Sequence, residues 1–383
     1  RQARALSTQN RSSFFPSIDA SGSLQTSKGS QNTGSDQQRD LYTVGFDAGW
    51  EIDLFGKVKR SVEAAEADFA AQVENLNDVK VTLCAEVAIN YIELRTYQAQ
   101  LAVSEKNMNS MQATLDLFTA LYQAGEEDQL AVEQARYNLE STRAKTFDFM
   151  VSKEAALNRL ALLVGKPAGA LHDKLSQLEP IPQASVQLAI GVPADVLRRR
   201  PDIRNAERKL AAETARIGET KANLYPSFSL SGSIGLEALS FGKLWQSNSH
   251  TWGFGPTISW PIFDAGTIRS AVNVQEEVQK QALIAYEKSI LSALEEVNNA
   301  LFDYVKEQEK LSVLQKAVSS AQEAAKLAQD QYETGMIGFD EVLENQQFLF
   351  TLEDQLAESE GAVVVKLVSL YKTLGGGWQS MAI

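Results

Sequence analysis

From Lys57 to Ala124 the chain runs for 68 residues without a glycine or a proline, and from Thr267 to Thr334 it does so again for 68 residues. Both runs are rich in Ala, Glu, Gln, Lys and Leu, residues that favour helix intrinsically, and both lack the residues that interrupt one. Ile290, Leu294, Val297, Leu301 and Tyr304 are spaced 4-3-4-3, and Met108, Met111, Leu115, Phe118 and Tyr122 are spaced 3-4-3-4. That is coiled-coil spacing. At 1.5 Å per residue each helix would be about 100 Å long, whereas helices of globular domains run roughly 8 to 20 residues. Gly125 and Gly335 follow at the ends of the runs. Glycine tolerates the left-handed conformation that closes a helix, so each helix should stop there and return, over 128–163 and 339–374.

The two runs belong to a larger duplication. Pro16 and Pro226, Gly56 and Gly266, Val87 and Val297, Tyr122 and Tyr332, and Gly165 and Gly375 are each 210 residues apart. "YQAG" at Tyr122 answers "YETG" at Tyr332. Leu54-Phe55 matches Ile262-Phe263 at 208, so the register slips by two near the strand ends. A unit of about 150 residues occurring twice is too long for a solenoid repeat of roughly 20 to 50 residues.

Each unit opens with alternating segments. "LYPSFSLSGS" at Leu224 and "FFPSIDASGS" at Phe14 put apolar or small residues at even positions and mostly hydroxyls at odd ones. Ile18, Ala20, Gly22 and Leu24 oppose Ser17, Asp19, Ser21 and Ser23. Tyr42, Val44, Phe46, Ala48, Trp50, Ile52 and Leu54 oppose Thr43, Gly45, Asp47, Gly49, Glu51 and Asp53. In the second unit Trp252, Phe254, Pro256, Ile258, Trp260 and Ile262 oppose Thr251, Gly253, Gly255, Thr257 and Ser259. Period two predicts strands with one apolar and one polar face. The polar stretches 26–40 and 238–250 suit hairpin loops. All nine prolines avoid the long helices, and Pro167, Pro180, Pro182 and Pro193 crowd an irregular segment over 165–200. Pro201 suits the first turn of a helix that leads into the second unit's first strand. By the repeat, Arg1 to Arg11 should be the tail of an equivalent helix.

Charge and composition close off other classes. The 36 basic and 49 acidic residues leave a formal charge of −13, which argues against a nucleic-acid partner. Cys84 is the only cysteine, so no intrachain disulfide or multi-thiolate metal site can form, and it falls on a heptad-like position that predicts a packed small residue. His172 and His250, the only histidines, are far apart and suggest neither a zinc site nor a catalytic triad. No enzyme and no cofactor is expected. The most apolar helical stretch, "GAVVVKLVSLY", is short and broken by Lys366, against the roughly 18 to 20 residues a spanning helix needs. A closed barrel also crosses membranes.

Four strands with an apolar and a polar face suit a transmembrane barrel, with Trp50, Trp252 and Trp260 placed for interfacial girdles. Alternating strands also build soluble sandwiches, and heptads build soluble coiled coils. A helix too long for a globule, joined to such strands in a duplicated unit, favours the membrane. Barrels begin at about eight strands, so closure would need several chains, most simply three. The predicted fold is a mixed α and β membrane protein, a duplicated strand hairpin plus long helical hairpin. Its trimer would form a 12-strand β-barrel.

"LRRRPDIRNAE" at 197–207, "YPSFSLSGSIG" at 225–235, "WPIFDAG" at 260–266, "YETG" at 332–335 and "LYKTLGGGW" at 370–378 occur in order. In these pieces the chain resembles the TolC-type outer-membrane factors, the outer-membrane channels of resistance-nodulation-division efflux systems. The resemblance implies a homotrimer in the Gram-negative outer membrane, extending into the periplasm, that docks a periplasmic adaptor and an inner-membrane pump. It places barrel hairpins at 14–55 and 225–263, and helical barrel at 1–13, 56–164, 201–224 and 264–374. Equatorial material falls at 165–200 and 375–383. Such proteins usually begin with a signal peptide, often with a lipid-carrying cysteine and further helix, ahead of the point where this sequence starts. The expected function is a passive exit duct for drugs or toxic small molecules. A protein-secretion duct and a non-conducting, barrel-anchored coiled coil are the alternatives.

By the same resemblance Glu341 and Glu344, three apart on one helix face, line the periplasmic aperture; a solvated outer face is the competing assignment. Their first-unit counterparts, Ala131 and Gln134, are uncharged, and Asp340 is expected to be exposed. The turns at Gly125, Glu126, Glu127, Gly335, Met336, Ile337 and Gly338 are candidates for adaptor contact. Asp19, Asp47, Glu51 and Asp53 follow the polar strand parity and are expected in the barrel lumen.

Overall fold

The computed structural model describes residues 1–33, 37–183 and 198–376. In chain order the elements are α1 (Gln2–Ser12), β1 (Ser17–Lys28), β2 (Gln38–Ile52), α2 (Lys57–Ala124), α3 (Gln129–Leu163) and a single turn α4 (His172–Leu175). They continue with α5 (Pro201–Ala222), β3 (Ser227–Ala238), β4 (His250–Ser259), α6 (Thr267–Glu333) and α7 (Phe339–Thr373). The glycine- and proline-free runs are thus continuous helices of 68 and 67 residues. Among the described residues no helix is long and apolar enough to cross a membrane. Strand pairing reaches further into the first polar linker than its composition suggests, taking Thr26–Lys28 and Gln38–Asp40 into β1 and β2. Of the expected irregular stretch, Pro193 lies outside the described residues. So do Leu197 of "LRRRPDIRNAE" and the last two residues of "LYKTLGGGW".

The chain divides into two compact units. The first, Arg1–Leu76 with Pro201–Ser289, holds one antiparallel sheet in the order β1-β2-β3-β4. Its register keeps parity throughout: Ala20 faces Phe46, Phe46 faces Ile234, and Ile234 faces Trp252, all on one side. Asp47 pairs with Asp19 and with Ser233 on the other. The apolar side is bare, with Ile18 71%, Phe46 58%, Ile234 64% and Trp252 79% exposed.

The duplication holds down to single bonds. Ser17 pairs with Gly49 and Ser227 with Ser259, so both hairpins share one register at the 210 offset. The indole N–H of Trp50 donates to the Phe14 carbonyl at 3.0 Å, and that of Trp260 to the Leu224 carbonyl at 3.1 Å. Arg11 meets Glu66 at 3.6 Å, and Lys221 meets Glu276 at 2.8 Å. These four bonds fix how each short helix, α1 or α5, feeds its hairpin and leans on the long helix that follows.

The second unit, Asn77–Arg200 with Ile290–Ile383, holds α3 and α7 with the parts of α2 and α6 that run from Asn77 and from Ile290. Leu94 packs with Ala156, Leu157 and Leu160, and Tyr304 with Leu367 and Leu370. The start of the irregular segment is pinned by Arg95, which is almost fully buried. Its guanidinium donates to Gln98 Oε1, the Gln177 carbonyl and Glu179 Oε2, the last at 2.7 Å. A buried guanidinium needs such partners because desolvating it otherwise costs far more than its packing returns. Cys84 is exposed rather than packed: the apolar seam of α2 drifts, because 3.6 residues per turn does not follow a fixed heptad over so many turns.

Candidate functional site

Two regions carry the candidate residues, the helical turns of the second unit and the polar side of the sheet. At the turns, Gly125 has φ of 79° and Gly335 has φ of 72°. The Gly125 N–H donates to the Tyr122 carbonyl and the Glu126 N–H to that of Leu121; Gly335 and Met336 repeat the pattern on Tyr332 and Gln331. This paired closure needs a left-handed residue, which is why glycine stands at both turns. Asp128 then caps α3 by accepting the Ala131 N–H at 3.0 Å. Gly338 begins α7 with no side-chain cap, and Asp340 and Glu341 fill its first turn, where the helix dipole favours acids.

Around these turns a compact core forms from Phe118, Ala131, Val132, Ala135, Ala328, Phe339, Val342 and Leu343. Phe118 stacks on Phe339, and Tyr332 tilts against both. The Tyr332 hydroxyl donates to Glu127 Oε1 at 2.7 Å. Burial, with the adjoining Glu127 carboxylate, pushes the Tyr332 phenol up to about 12. The structure therefore joins Glu127 of one turn to Tyr332 of the other hairpin.

The remaining turn residues separate by exposure. Glu126 and Met336 are open to solvent, whereas Ile337 packs on the core. Glu341 and Glu344 both stand on the exposed side of α7, opposite buried Val342 and Leu343. Ala131, the repeat mate of Glu341, is buried in the core instead. Asp340 is exposed.

On the sheet, Asp19 lies directly opposite Asp47. Asp47 accepts a hydrogen bond from the Ser21 hydroxyl at 2.8 Å, and Glu51 lies 3.7 Å from the Lys57 ammonium. Asp53 departs from the strand parity. It falls beyond Ile52, the last residue of β2, and its carboxylate accepts the N–H groups of Val58 and Lys59. It caps α2, as Asp264 caps α6 by accepting from Gly266 and Ile268, bonds that hold the Asp264 carboxyl below its usual range. Among the described residues no cluster of His, Cys, Asp or Glu could hold a metal ion; His172 pairs with Glu154.

Tyr332 and Phe339 carry roles that sequence reasoning missed. The repeat marked Tyr332 only as the mate of Tyr122, and Phe339 replaces Gln129 at the matching position. That aromatic-for-amide exchange was the available signal.

A bare apolar sheet face joined in one duplicated chain to coiled-coil hairpins defines a class, the mixed α/β channel proteins of outer membranes. The family model for outer membrane efflux proteins matches residues 1–166 and 192–376, and the chain belongs to that family. Cation efflux system protein CusC of Escherichia coli O6:H1 is 31% identical over 382 residues, covering 99% of this chain and 82% of that protein. Nodulation protein T of Rhizobium leguminosarum bv. trifolii is 30% identical over 385 residues, covering 99% and 81%. Among solved structures, the outer-membrane channel OprN superposes with a TM-score of 0.93 at 34% identity, over 99% of this chain and 85% of that one. The protein is accordingly an outer-membrane efflux protein that extends into the periplasm, and its family comprises channels rather than enzymes.

Proposed function

We propose that three copies of this chain close a 12-strand barrel and act as the passive exit duct of a tripartite efflux system. A periplasmic adaptor and an inner-membrane pump would complete that system. The observation that carries this reading is the sheet itself: one face is bare and apolar, and among the described residues neither edge strand has a partner on its outer side. Open edges are not tolerated in lipid, so a four-strand sheet of this kind calls for further copies.

Passivity is supported by the relatives. Proteins named for cation efflux and for toluene efflux are both 31% identical to this chain, so different cargoes attach to equally similar exit proteins. Drugs or other toxic small molecules selected by the pump fit that pattern. At the periplasmic aperture, Glu341 and Glu344 from three copies would gather six carboxylates, a field that favours cations. Adaptor contact falls to the exposed turn residues, chiefly Glu126, Gly335, Met336 and Gly338. Glu127 and Ile337 support them from within.

Native mass spectrometry in detergent should give a trimer, and the trimer should conduct in a planar bilayer. Glu341→Gln with Glu344→Gln should lower cation selectivity and divalent block while the trimer persists. A monomer, or a trimer without conductance, sinks the duct. Unchanged selectivity moves the aperture elsewhere.

A further inference from the structure

We infer that a groove bordered by α2, α3 and α7 binds an aliphatic polyamine, with one ammonium at Asp354 and Asn107 and the next at Glu93 and Glu358. Every residue of the groove lies in the second unit of a single chain, so the site requires neither the trimer nor the conductance proposed above.

Polar contacts hold the three helices together here. Gln100 of α2 donates to Asp354 Oδ1 of α7 at 2.8 Å, and the hydroxyls of Ser104 on α2 and Thr146 on α3 bond at 2.7 Å. At Gly361, α7 comes so near α2 that a Cβ would collide with Thr96 Oγ1, so only glycine fits. Asn107 is 3% exposed, and its Oδ1 has no partner. A buried amide oxygen without a hydrogen bond is costly, and a ligand that donates one removes that cost.

Two chambers adjoin along these contacts. The narrow one, about 50 Å³, is lined by Ser104, Asn107, Thr351 and Asp354 and has room for one ammonium group or water. The wide one, about 450 Å³, shares Gln100, Phe149 and Asp354 with it and matches small-molecule sites in size.

Charge specifies the ligand. Glu93, Asp148, Asp354 and Glu358 line the wide chamber, and among the described residues no cation of the chain pairs with Glu93 or Glu358. Burial raises the Glu93 carboxyl. Burial, with the Glu93 and Glu358 carboxylates, raises the Tyr97 phenol. Negative charge in this chamber therefore lacks a counter-charge. Lys366 also lines it, but its ammonium is held by Asp303 at 2.7 Å. Lys145 lines the narrow chamber on an exposed stem that lets its ammonium stand in water.

A single metal ion does not fit, because among the described residues no three acids or other ligating side chains converge on one point. The carboxylates are strung out instead, with Asp354 and Glu358 one turn apart on α7. An aliphatic polyamine carries its charges at a like interval on short methylene spacers. Its methylenes and ammonium groups can lie against Tyr97, Phe149 and Val365. A terminal ammonium has donors for both acceptors of the narrow chamber, Asn107 Oδ1 and the Asp354 oxygen not bonded to Gln100.

The test is calorimetric titration of spermine into the detergent-solubilised full chain at low salt, where saturable binding is expected. Asp354→Asn with Glu358→Gln should weaken it at least about tenfold through lost charge-assisted hydrogen bonds. Glu93→Gln, on the facing helix, should weaken it about fivefold, which keeps the outcome readable if the double variant misfolds. Glu133→Gln with Glu140→Gln removes equal charge from α3 outside the groove and should change affinity by less than about twofold. Absence of saturable binding overturns the site. An equal loss in the Glu133/Glu140 variant also overturns it, because the effect is then screening of the whole surface. Magnesium chloride that displaces spermine at equal concentration overturns the polyamine class and makes the groove a metal site. None of these outcomes bears on the trimer or its conductance, which are measured separately.

Discussion

At the first helical turn Tyr122 is 45% exposed, Gln129 opens α3, and Ala131 fills the core. At the second, Tyr332 is packed on two phenylalanines and bonded to Glu127, Phe339 opens α7 into the core, and Glu341 faces solvent. The backbones are copies, down to the same pair of closing hydrogen bonds at Gly125 and Gly335. The side chains are complementary rather than alike: bulky Phe118 has small Ala328 as its repeat mate, and both share one core with Phe339. Duplication thus preserved the turn, whose geometry only glycine satisfies. Where the hairpins meet, close packing rewards unequal partners that interlock, so the two copies diverged.

The largest expected effect separates the two turns by their aromatics. Phe339→Ala should cost about 3–5 kcal/mol of local stability, read as faster hydrogen exchange at both turns. Gln129→Ala should stay within about 0.5 kcal/mol. Equal losses would mean that the turns do not share a core.

Next comes the hydroxyl. Tyr332→Phe removes a hydrogen bond to a carboxylate and should cost about 1.5 kcal/mol, while Tyr122→Phe should be silent. The pH dependence has a definite sign. Raising a phenol from its ordinary 10.0 to about 12 favours the neutral form in the folded protein. Its stabilisation is therefore complete below pH 10 and is lost as pH rises towards 12. Ultraviolet titration should show a tyrosine ionising late, and Tyr332→Phe should remove it. A Tyr332 that titrates with the exposed tyrosines would break the link to Glu127.

A smaller, symmetric effect tests the shared backbone. Gly125→Ala and Gly335→Ala should each cost about 1 kcal/mol through the left-handed conformation, with equal shifts in local exchange. Unequal shifts would show that one turn relaxes. The least perturbing change is Gln134→Glu, which gives the first hairpin the acid its mate Glu344 carries. Stability should move by no more than about 0.5 kcal/mol, while single-channel cation selectivity rises if both hairpins line the aperture. No rise would assign the aperture to α7 alone.

Much of this was legible. The bounds of α2 matched the glycine- and proline-free run residue for residue, and the strand parity named the bare face. Asp53 was misplaced because the alternation was carried past Ile52, when an acid a few residues ahead of a helix is equally a cap. Cys84 was misplaced because a heptad count cannot follow seam drift along a helix of 68 residues.

By itself the sequence determined the long helices, the duplication, the turning points and the faces of the strands. Each of these depends on local propensity, backbone sterics or a short period, which neighbouring residues settle among themselves. Only the tertiary structure decided that Glu127 meets Tyr332 across 205 residues, that Phe118 stacks on Phe339, and that Met336 is bare where Ile337 is packed. Those outcomes depend on which surfaces of two hairpins meet, and at what rotation, and no pattern within either hairpin specifies that.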